Sequence, residues 1–111
     1  MTLILVVDDH AVVRRGIRQT LKEEIRDAVF GEAGNAREAL NQAAQRPWDI
    51  AIVDTPLPGW DGVALLEEIR RRQPRIKVLV LGVDPGGWYE ARARQLGAVV
   101  ICPRALRSMS C

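Results

Sequence analysis

The sequence has few of the residues that mark disulfide-rich, metal-cluster or membrane proteins. It contains two cysteines and one histidine in 111 residues. Cys102 and Cys111 lack the spacing of metal ligands and do not form a disulfide framework. No apolar run approaches the ~20 residues that span a bilayer, and the start of the chain lacks the positive charge and long apolar run of a secretory signal. These absences predict a cytoplasmic protein with reduced thiols.

Charge and composition also exclude several classes of partner. The net charge of +2 is too small to favour a nucleic acid or an anionic membrane as a partner. Hydrophobic residues make up 48% and charged residues 27% of the chain, which is ordinary for a globular protein. A chain of 111 residues suffices for one domain and one core. We therefore expect residues 1–111 to form a single domain without a separate output domain and without direct nucleic-acid or membrane binding.

Short apolar runs, most of them rich in Val and Ile, predict five β-strands. Their near-continuous apolar character, without alternation, is typical of strands buried on both faces of a parallel sheet. The runs are Leu3–Val7, Ala28–Ala33 (the weakest), Ile50–Val53, Ile76–Leu81 and Ala98–Cys102.

Four stretches between these runs carry the spacing of amphipathic helices. Asn35 is expected to be the N-cap of the second helix, with Glu38 three residues later as in a capping box. Gly97 is expected just past the end of the fourth helix. Residues 70–72, all arginine, fall in the last turn of the third helix, where cations suit the helix dipole, and are expected to be a solvated helix end rather than a binding patch. The apolar positions are Val13, Ile17 and Leu21, then Ala36, Ala39, Leu40 and Ala43, then Val63, Leu66 and Ile69, while the fourth helix is expected near Trp88–Leu96.

Strict alternation of strands and helices predicts an α/β fold with a doubly wound parallel sheet. The expected architecture is a flavodoxin-like, five-stranded sheet with the strand order 2-1-3-4-5, in which strands one and three are neighbours. Functional groups collect at the carboxyl ends of such strands, near the point where the strand order reverses. Asp8 and Asp9 follow the first strand and Asp54 follows the third, so three carboxylates are expected in one crevice.

Three converging carboxylates need a neutralising partner, because like charges raise one another's pKa and destabilise the fold. Mg²⁺ prefers oxygen ligands and is often held by one or two carboxylates together with a phosphate oxygen. Such an ion would leave Asp54 free to act as a nucleophile that forms an aspartyl phosphate. The structural alternative for any one of these residues is a turn or an N-cap.

Two segments resemble the receiver domain of bacterial response regulators. The first is Leu5-Val6-Val7-Asp8-Asp9-His10, and the second runs from Val53-Asp54-Thr55-Pro56 through Pro58 to Asp61-Gly62. The likeness covers almost the whole chain. Asp8-Asp9-His10 followed by Val13-Arg14-Arg15-Gly16-Ile17 is further similar to the subfamily whose receivers precede a LuxR-type (NarL-like) helix-turn-helix domain.

The resemblance implies a role for each matching position. Asp54 would accept a phosphoryl group from a histidine kinase or phosphotransfer protein of a two-component system that controls a downstream output, and the domain itself would not be an enzyme. Asp8, Asp9 and Asp54, with the backbone carbonyl of Pro56, would hold Mg²⁺. His10 is expected to begin the first helix at the surface rather than to serve as a ligand.

Two positions that contact the phosphoryl group in the family depart from its pattern. Gly82 stands at the end of the fourth strand, where the family has Ser or Thr, and glycine has no hydroxyl group. The family's lysine after the fifth strand matches Arg104 without a gap, or Cys102 if the following proline is matched. Arg104 could still donate to phosphate, although its planar fork is not equivalent to an ammonium group. The aromatic switch residue would be Ile101 or Val99, so we expect phosphorylation without the family's usual switch.

The end of the chain leaves further alternatives open. Residues 105–111 are too few for the family's full fifth helix, so we expect this helix to be truncated or absent. Part of one sheet face would then be bare, which predicts a homodimer or poor solubility. The main alternative function is a pseudo-receiver, a protein-interaction module that works without phosphorylation. A flavodoxin-like binder of small ligands is a third, although the first strand–helix turn has no glycine-rich phosphate loop.

Overall fold

The protein alternates strands and helices along the chain, as the sequence pattern predicts. The computed structural model describes residues 1–54, 62–81 and 88–101. The elements in chain order are β1 Thr2–Val7, α1 Ala11–Glu24, β2 Ala28–Ala33, α2 Ala36–Ala43, β3 Ile50–Asp54, α3 Gly62–Arg72, β4 Lys77–Leu81, α4 Trp88–Gln95 and β5 Val99–Ile101.

The strands form one parallel sheet with the order β2-β1-β3-β4-β5. Every pair is parallel, and β1 lies between β2 and β3. The predicted α/β class, with its doubly wound parallel sheet, is confirmed. The expectation of a truncated or absent fifth helix concerns residues 105–111, which lie outside the described residues.

Within residues 1–54, 62–81 and 88–101, the two faces of the sheet are covered unequally. On one face, α2, α3 and α4 bury a continuous apolar core that includes Leu65, Leu66 and Ile69 of α3. On the other face Ile4, Val6 and Ile52 are buried, and half-buried side chains of α1 such as Ile17 and Leu21 pack against them. Helix α1 has no fully buried residue.

Part of the α1-side face is open within the described residues. Leu79 and Leu81 of β4 are half-buried, and Val99 of β5 is 54% exposed. Because these apolar side chains remain partly in contact with water, they stabilise the fold less than fully buried side chains would.

The helix ends follow the predicted caps. The Asn35 side chain accepts a hydrogen bond from the Glu38 backbone at 2.9 Å, and the Glu38 carboxylate accepts one from the Gly34 backbone at 2.6 Å. After α4, Gly97 has a φ of 85°. The Gly97 N–H donates to the Arg94 backbone carbonyl, and the Ala98 N–H donates to the Ala93 backbone carbonyl. This pair of bonds is a Schellman motif, which requires a left-handed residue at Gly97.

One glycine in β2 makes room for a buried indole. Trp48 is 4% exposed, and its Nε1–H donates to the Gln42 carbonyl at 2.6 Å. A Cβ atom at Gly31 would lie 2.4 Å from the Trp48 ring. The indole can therefore pack closely against β2 because position 31 has no side chain.

The end of α3 differs from its prediction as a solvated arginine cluster. Arg71 and Arg72 pair with Glu68 on the same helix, and Arg71 is largely exposed, as expected. Arg70 instead is half-buried and donates to three backbone carbonyls outside α3, those of Ile76, Leu96 and Gly97, each at 2.9 Å. The carbonyls of Leu96 and Gly97, just past the end of α4, lie where the helix dipole is negative and helical partners are lacking, so they favour a cation at this position.

Candidate functional site

The strand register brings two of the predicted carboxylate positions to one edge of the sheet. Val7 of β1 pairs with Val53 of β3, so Asp8 and Asp54 are the next residues on two neighbouring strands. Adjacent strands lie about 4.8 Å apart, which makes the two backbone positions neighbours at the carboxyl edge. The side chain of Asp54 lies outside the described residues.

Asp8, Asp9 and His10 form a compact cluster at the end of β1. The Asp8 side chain is fully buried, that of Asp9 is 33% exposed and that of His10 is 70% exposed. The His10 Nδ1 atom lies 2.8 Å from Asp9 Oδ1 and 3.3 Å from Asp8 Oδ1. One potential ligand atom from each residue falls within 4.8 Å of the others. The cluster therefore has a buried carboxylate at its base and opens to solvent at His10.

His10 begins α1 at the surface, as predicted. It occupies the N-cap position with an extended backbone, and its side chain makes no capping hydrogen bond. Its backbone N–H instead donates to Asp8 Oδ1 at 2.6 Å. This hydrogen bond fixes the Asp8 carboxylate beside the N-cap residue of α1.

The Asp8 backbone is held from both sides. Its N–H donates to the Ala33 carbonyl of β2 at 3.0 Å, which continues the β1–β2 ladder by one residue. Its carbonyl accepts a hydrogen bond from the guanidinium of Arg14 at 2.6 Å. Asp8 is therefore fixed through its backbone N–H, its backbone carbonyl and its side chain.

A pair of arginines converges on one carboxylate beside this cluster. Arg14 Nε lies 3.0 Å from Glu32 Oε1, and Arg18 Nη1 contacts Glu32 Oε2. Arg18 also stacks over the Phe30 ring at 5.8 Å from its centroid. The hydrogen bond from Arg18, followed by that from Arg14, lowers the pKa of Glu32 below its ordinary value of 4.5.

Arg14 and Glu32 are the residues near this site that sequence analysis did not assign. Arg14 appeared there only as part of a subfamily pattern, and Glu32 as part of a weak strand. Their pairing joins a helix to a strand 18 residues later, so no helical or strand periodicity links them. The sequence holds one weak signal of this pairing: Arg14 and Arg18 are one helical turn apart on α1, so both can face the same residue.

The remaining predicted site residues fall outside the described part of the chain. These are Pro56, Gly82, Arg104 and its alternative Cys102. Their roles stay predictions. The donor set that is described, two carboxylates with an imidazole at the rim, suits a hard divalent cation through its oxygen atoms.

None of the described helices is long and apolar enough to cross a membrane.

Comparison with known proteins identifies a bacterial response regulator and a bacterial methylesterase as relatives of this chain. The response regulator GacA of Pseudomonas viridiflava is 34% identical over 98 residues, which cover 88% of this chain and 46% of that protein. A protein-glutamate methylesterase/protein-glutamine glutaminase of Alkalilimnicola ehrlichii is 43% identical over 107 residues, covering 96% of this chain and 27% of that protein. The chain therefore spans less than half the length of either relative.

A solved structure and a family model also match this chain. The crystal structure of a response regulator protein from Burkholderia pseudomallei, with a phosphorylated aspartic acid, calcium ion and citrate, matches with a TM-score of 0.83 and 25% identity, over 93% of this chain and 60% of that one. The family model of the response regulator receiver domain matches residues 4–103. With nearly all of its fold inside this match, the chain belongs to the response regulator receiver domain family.

Proposed function

We propose that this chain accepts a phosphoryl group on Asp54 from a histidine kinase or phosphotransfer protein of a two-component system. The observation that carries the proposal is the β1–β3 register, which makes the backbone of Asp54 a neighbour of the buried Asp8. The Burkholderia pseudomallei structure described above contains a phosphorylated aspartic acid, which supports the same chemistry here.

The acidic cluster fits the divalent cation that this reaction requires. Asp8, Asp9 and Asp54, with the backbone carbonyl of Pro56, would hold Mg²⁺. When bound, Mg²⁺ neutralises the charge that builds up between the carboxylates and the phosphoryl oxygens. Oxygen donors match the preference of this ion, and burial of Asp8 keeps one donor fixed in a medium where charge is poorly screened.

The chain's own residues supply the nucleophile and its alignment. A carboxylate oxygen of Asp54 attacks phosphorus, the new O–P bond forms, and the bond from phosphorus to the donor breaks, so the phosphoryl group passes from donor to Asp54. Asp8 and Asp9 act by position and charge, because little other covalent chemistry is needed from the protein.

The strand register also bears on how phosphorylation would be transmitted. Leu81 of β4 pairs with Ile101 of β5, so Gly82 and Cys102 are the next residues in sequence after a matched pair. The family's lysine position is held by Arg104 or by Cys102, and neither side chain offers an ammonium group. With glycine at position 82 the hydroxyl group is also missing, so we expect phosphorylation to change the α4 region little.

These substitutions favour a second candidate, a pseudo-receiver that binds a partner protein without phosphorylation. It would keep the fold and the acidic cluster while leaving Asp54 unmodified. The two functions differ in whether Asp54 chemistry is required, which one experiment can measure.

The test is incubation with Mg²⁺ and acetyl phosphate, read by intact mass, with Asp54→Asn as the matched control. We expect a Mg²⁺-dependent gain of one phosphoryl group in the wild-type chain and none in the variant. A folded wild-type chain that gains no mass with acetyl phosphate or with a phosphorylated histidine donor would favour the pseudo-receiver.

We also propose an output, a cellular location and an oligomeric state for the whole protein. The subfamily resemblance favours a LuxR-type transcriptional output that lies outside this chain, while the methylesterase relative carries an enzymatic activity in its name. We expect a cytoplasmic location and no direct nucleic-acid contact by these residues. A homodimer would appear in sedimentation as a mass that rises with concentration, and a monomer at all concentrations would count against it.

A further inference from the structure

We infer that Arg14 is a positioning residue for the acidic site, an inference that rests on the proposed function. Its guanidinium donates to the Asp8 carbonyl at 2.6 Å and to the Glu32 carboxylate at 3.0 Å. The side chain is only 18% exposed, so both bonds form in a partly desolvated place where hydrogen bonds to charged groups are strong.

The Asp8 carbonyl belongs to the peptide unit that carries Asp9. Because a peptide unit is planar, fixing this carbonyl also fixes the direction in which the chain enters Asp9. The preceding peptide unit is held separately, through the bond from the Asp8 N–H to Ala33. Arg14 therefore sets the orientation of Asp9 relative to the buried Asp8, and the two carboxylates together make up the metal-binding end of β1.

The shape of the site suits arginine in particular. One planar guanidinium reaches a carbonyl and a carboxylate in different directions, which an ammonium group on a flexible stem does less well. Gly34 leaves space for it, since a Cβ atom there would lie 3.3 Å from Arg14 Nη1. Glu32 offsets part of the positive charge, so Arg14 can lie near the cation site with reduced repulsion of Mg²⁺.

Arg18 provides a matched control on the same helix. It shares the Glu32 carboxylate with Arg14 and packs over Phe30. Among the contacts of the described residues it has none with Asp8. Replacing either arginine removes one cation from Glu32, but only replacement of Arg14 removes the bond to the Asp8 carbonyl.

The experiment compares wild type, Arg14→Met and Arg18→Met in the full chain. The Mg²⁺ dissociation constant is measured by calorimetry, the phosphorylation rate with acetyl phosphate by intact mass across Mg²⁺ concentrations, and the folded fraction by urea unfolding. Loss of a residue that orients a metal ligand typically weakens metal affinity about 10- to 100-fold. We expect Arg14→Met to raise the Mg²⁺ dissociation constant by about tenfold, and Arg18→Met to change it by less than about twofold.

The rate at saturating Mg²⁺ separates positioning from loss of the nucleophile. Because Asp54 is intact, Arg14→Met should approach the wild-type rate once Mg²⁺ saturates, with the half-maximal concentration shifted upward. A variant that loses stability but keeps the wild-type Mg²⁺ dissociation constant would overturn the inference. If Arg14→Met does not fold, Arg14→Gln is judged by the same constant.

The outcome also distinguishes this inference from the proposed function. A wild-type chain that neither binds Mg²⁺ nor gains a phosphoryl group would overturn both. A wild-type chain that does both, beside an Arg14→Met variant with unchanged Mg²⁺ affinity, would overturn the role of Arg14 alone.

Discussion

Glu32 shows how a single carboxylate can connect three elements of this fold. Glu32 lies near the end of β2, and its carboxylate accepts hydrogen bonds from Arg14 and Arg18 of α1. Because Arg14 also donates to the Asp8 carbonyl, Glu32 is linked through Arg14 to the end of β1. Both arginines favour the ionised carboxylate, which lowers its pKa. The folded state therefore holds the Glu32 proton less tightly than the unfolded chain does.

Glu32→Gln should change how stability depends on pH. A pKa lowered below the ordinary value of 4.5 stabilises the folded state above that value, and this contribution is lost as the pH falls through the folded-state pKa. We expect the variant to be less stable than wild type by about 1 kcal/mol at pH 7, with the difference shrinking as the pH falls below the ordinary pKa of 4.5. Urea unfolding across this range measures it.

The control for this prediction is Glu23→Gln on the exposed surface of α1. It should alter the free energy of unfolding by less than about 0.5 kcal/mol, as surface substitutions usually do. A difference between wild type and Glu32→Gln that stays constant down to pH 3 would contradict a lowered pKa.

At the scale of elements, α4 is held at its carboxyl end by a residue of another helix. The three carbonyl bonds of Arg70 join the end of α3 to the turn before β4 and to the turn after α4. Ala93 is the buried residue of α4 in the described core. The contacts of Arg70 therefore add to the packing of Ala93 in holding the end of α4.

Arg70→Met should loosen this end of α4. The variant keeps an apolar stem but removes donors from three carbonyls, and we expect a loss of about 2 kcal/mol in the free energy of unfolding. Amide hydrogen exchange should speed up at residues 96–98 more than in β1. Arg71→Met, which removes an exposed pair with Glu68, should cost less than about 0.5 kcal/mol. Equal effects of the two substitutions would mean that the carbonyl contacts contribute little.

The apolar runs and the helical spacing predicted the strands and helices well, but their boundaries less so. Ile76 and Ala98 were expected inside strands, yet both precede them, because the Ile76 N–H donates to Gln73 in a turn and the Ala98 N–H donates to Ala93 in the α4 cap. Asn35 and Gly97 were predictable because caps depend on local sequence. Arg70 was not, since nothing in α3 itself indicates that carbonyls of a later helix lie within reach.

In the candidate site, too, some features were predictable from the sequence and others depend on tertiary packing. Alternation of strands and helices was enough to expect Asp8 and Asp54 at one edge, and the β1–β3 register agrees for their backbones. The bond from Arg14 to Asp8 depends on how α1 crosses β1 and β2, a tertiary relation that no spacing along the chain encodes. Pairings of this kind become visible when the elements are packed.

At the scale of the whole molecule, the unequal covering of the sheet by the described residues predicts unequal sensitivity to core substitutions. Leu65 is fully buried on the face covered by α2, α3 and α4, while Leu79 is half-buried on the opposite face. Removal of a fully buried leucine side chain loses its transfer energy and leaves a cavity. A half-buried leucine near an open surface loses less of both.

Leu65→Ala should therefore destabilise the protein by about 3 kcal/mol and Leu79→Ala by about 1 kcal/mol. Urea unfolding of both variants under one set of conditions measures the difference. If Leu79→Ala proves as costly as Leu65→Ala, the α1-side face is covered in solution by something that contacts Leu79, and the same samples in sedimentation would report whether it is a second copy.

Gly31 and Trp48 also constrain how this sequence can change over time. A side chain at position 31 would occupy space that the indole already fills, so a mutation there is tolerated only once position 48 carries something smaller. The opposite order of substitutions is allowed, because once Trp48 is replaced by a smaller residue, Gly31 can be replaced by a residue that has a side chain. In a collection of related receivers, the two positions should thus covary, with tryptophan at 48 accompanied by glycine at 31, and the path away from this pair should begin at Trp48.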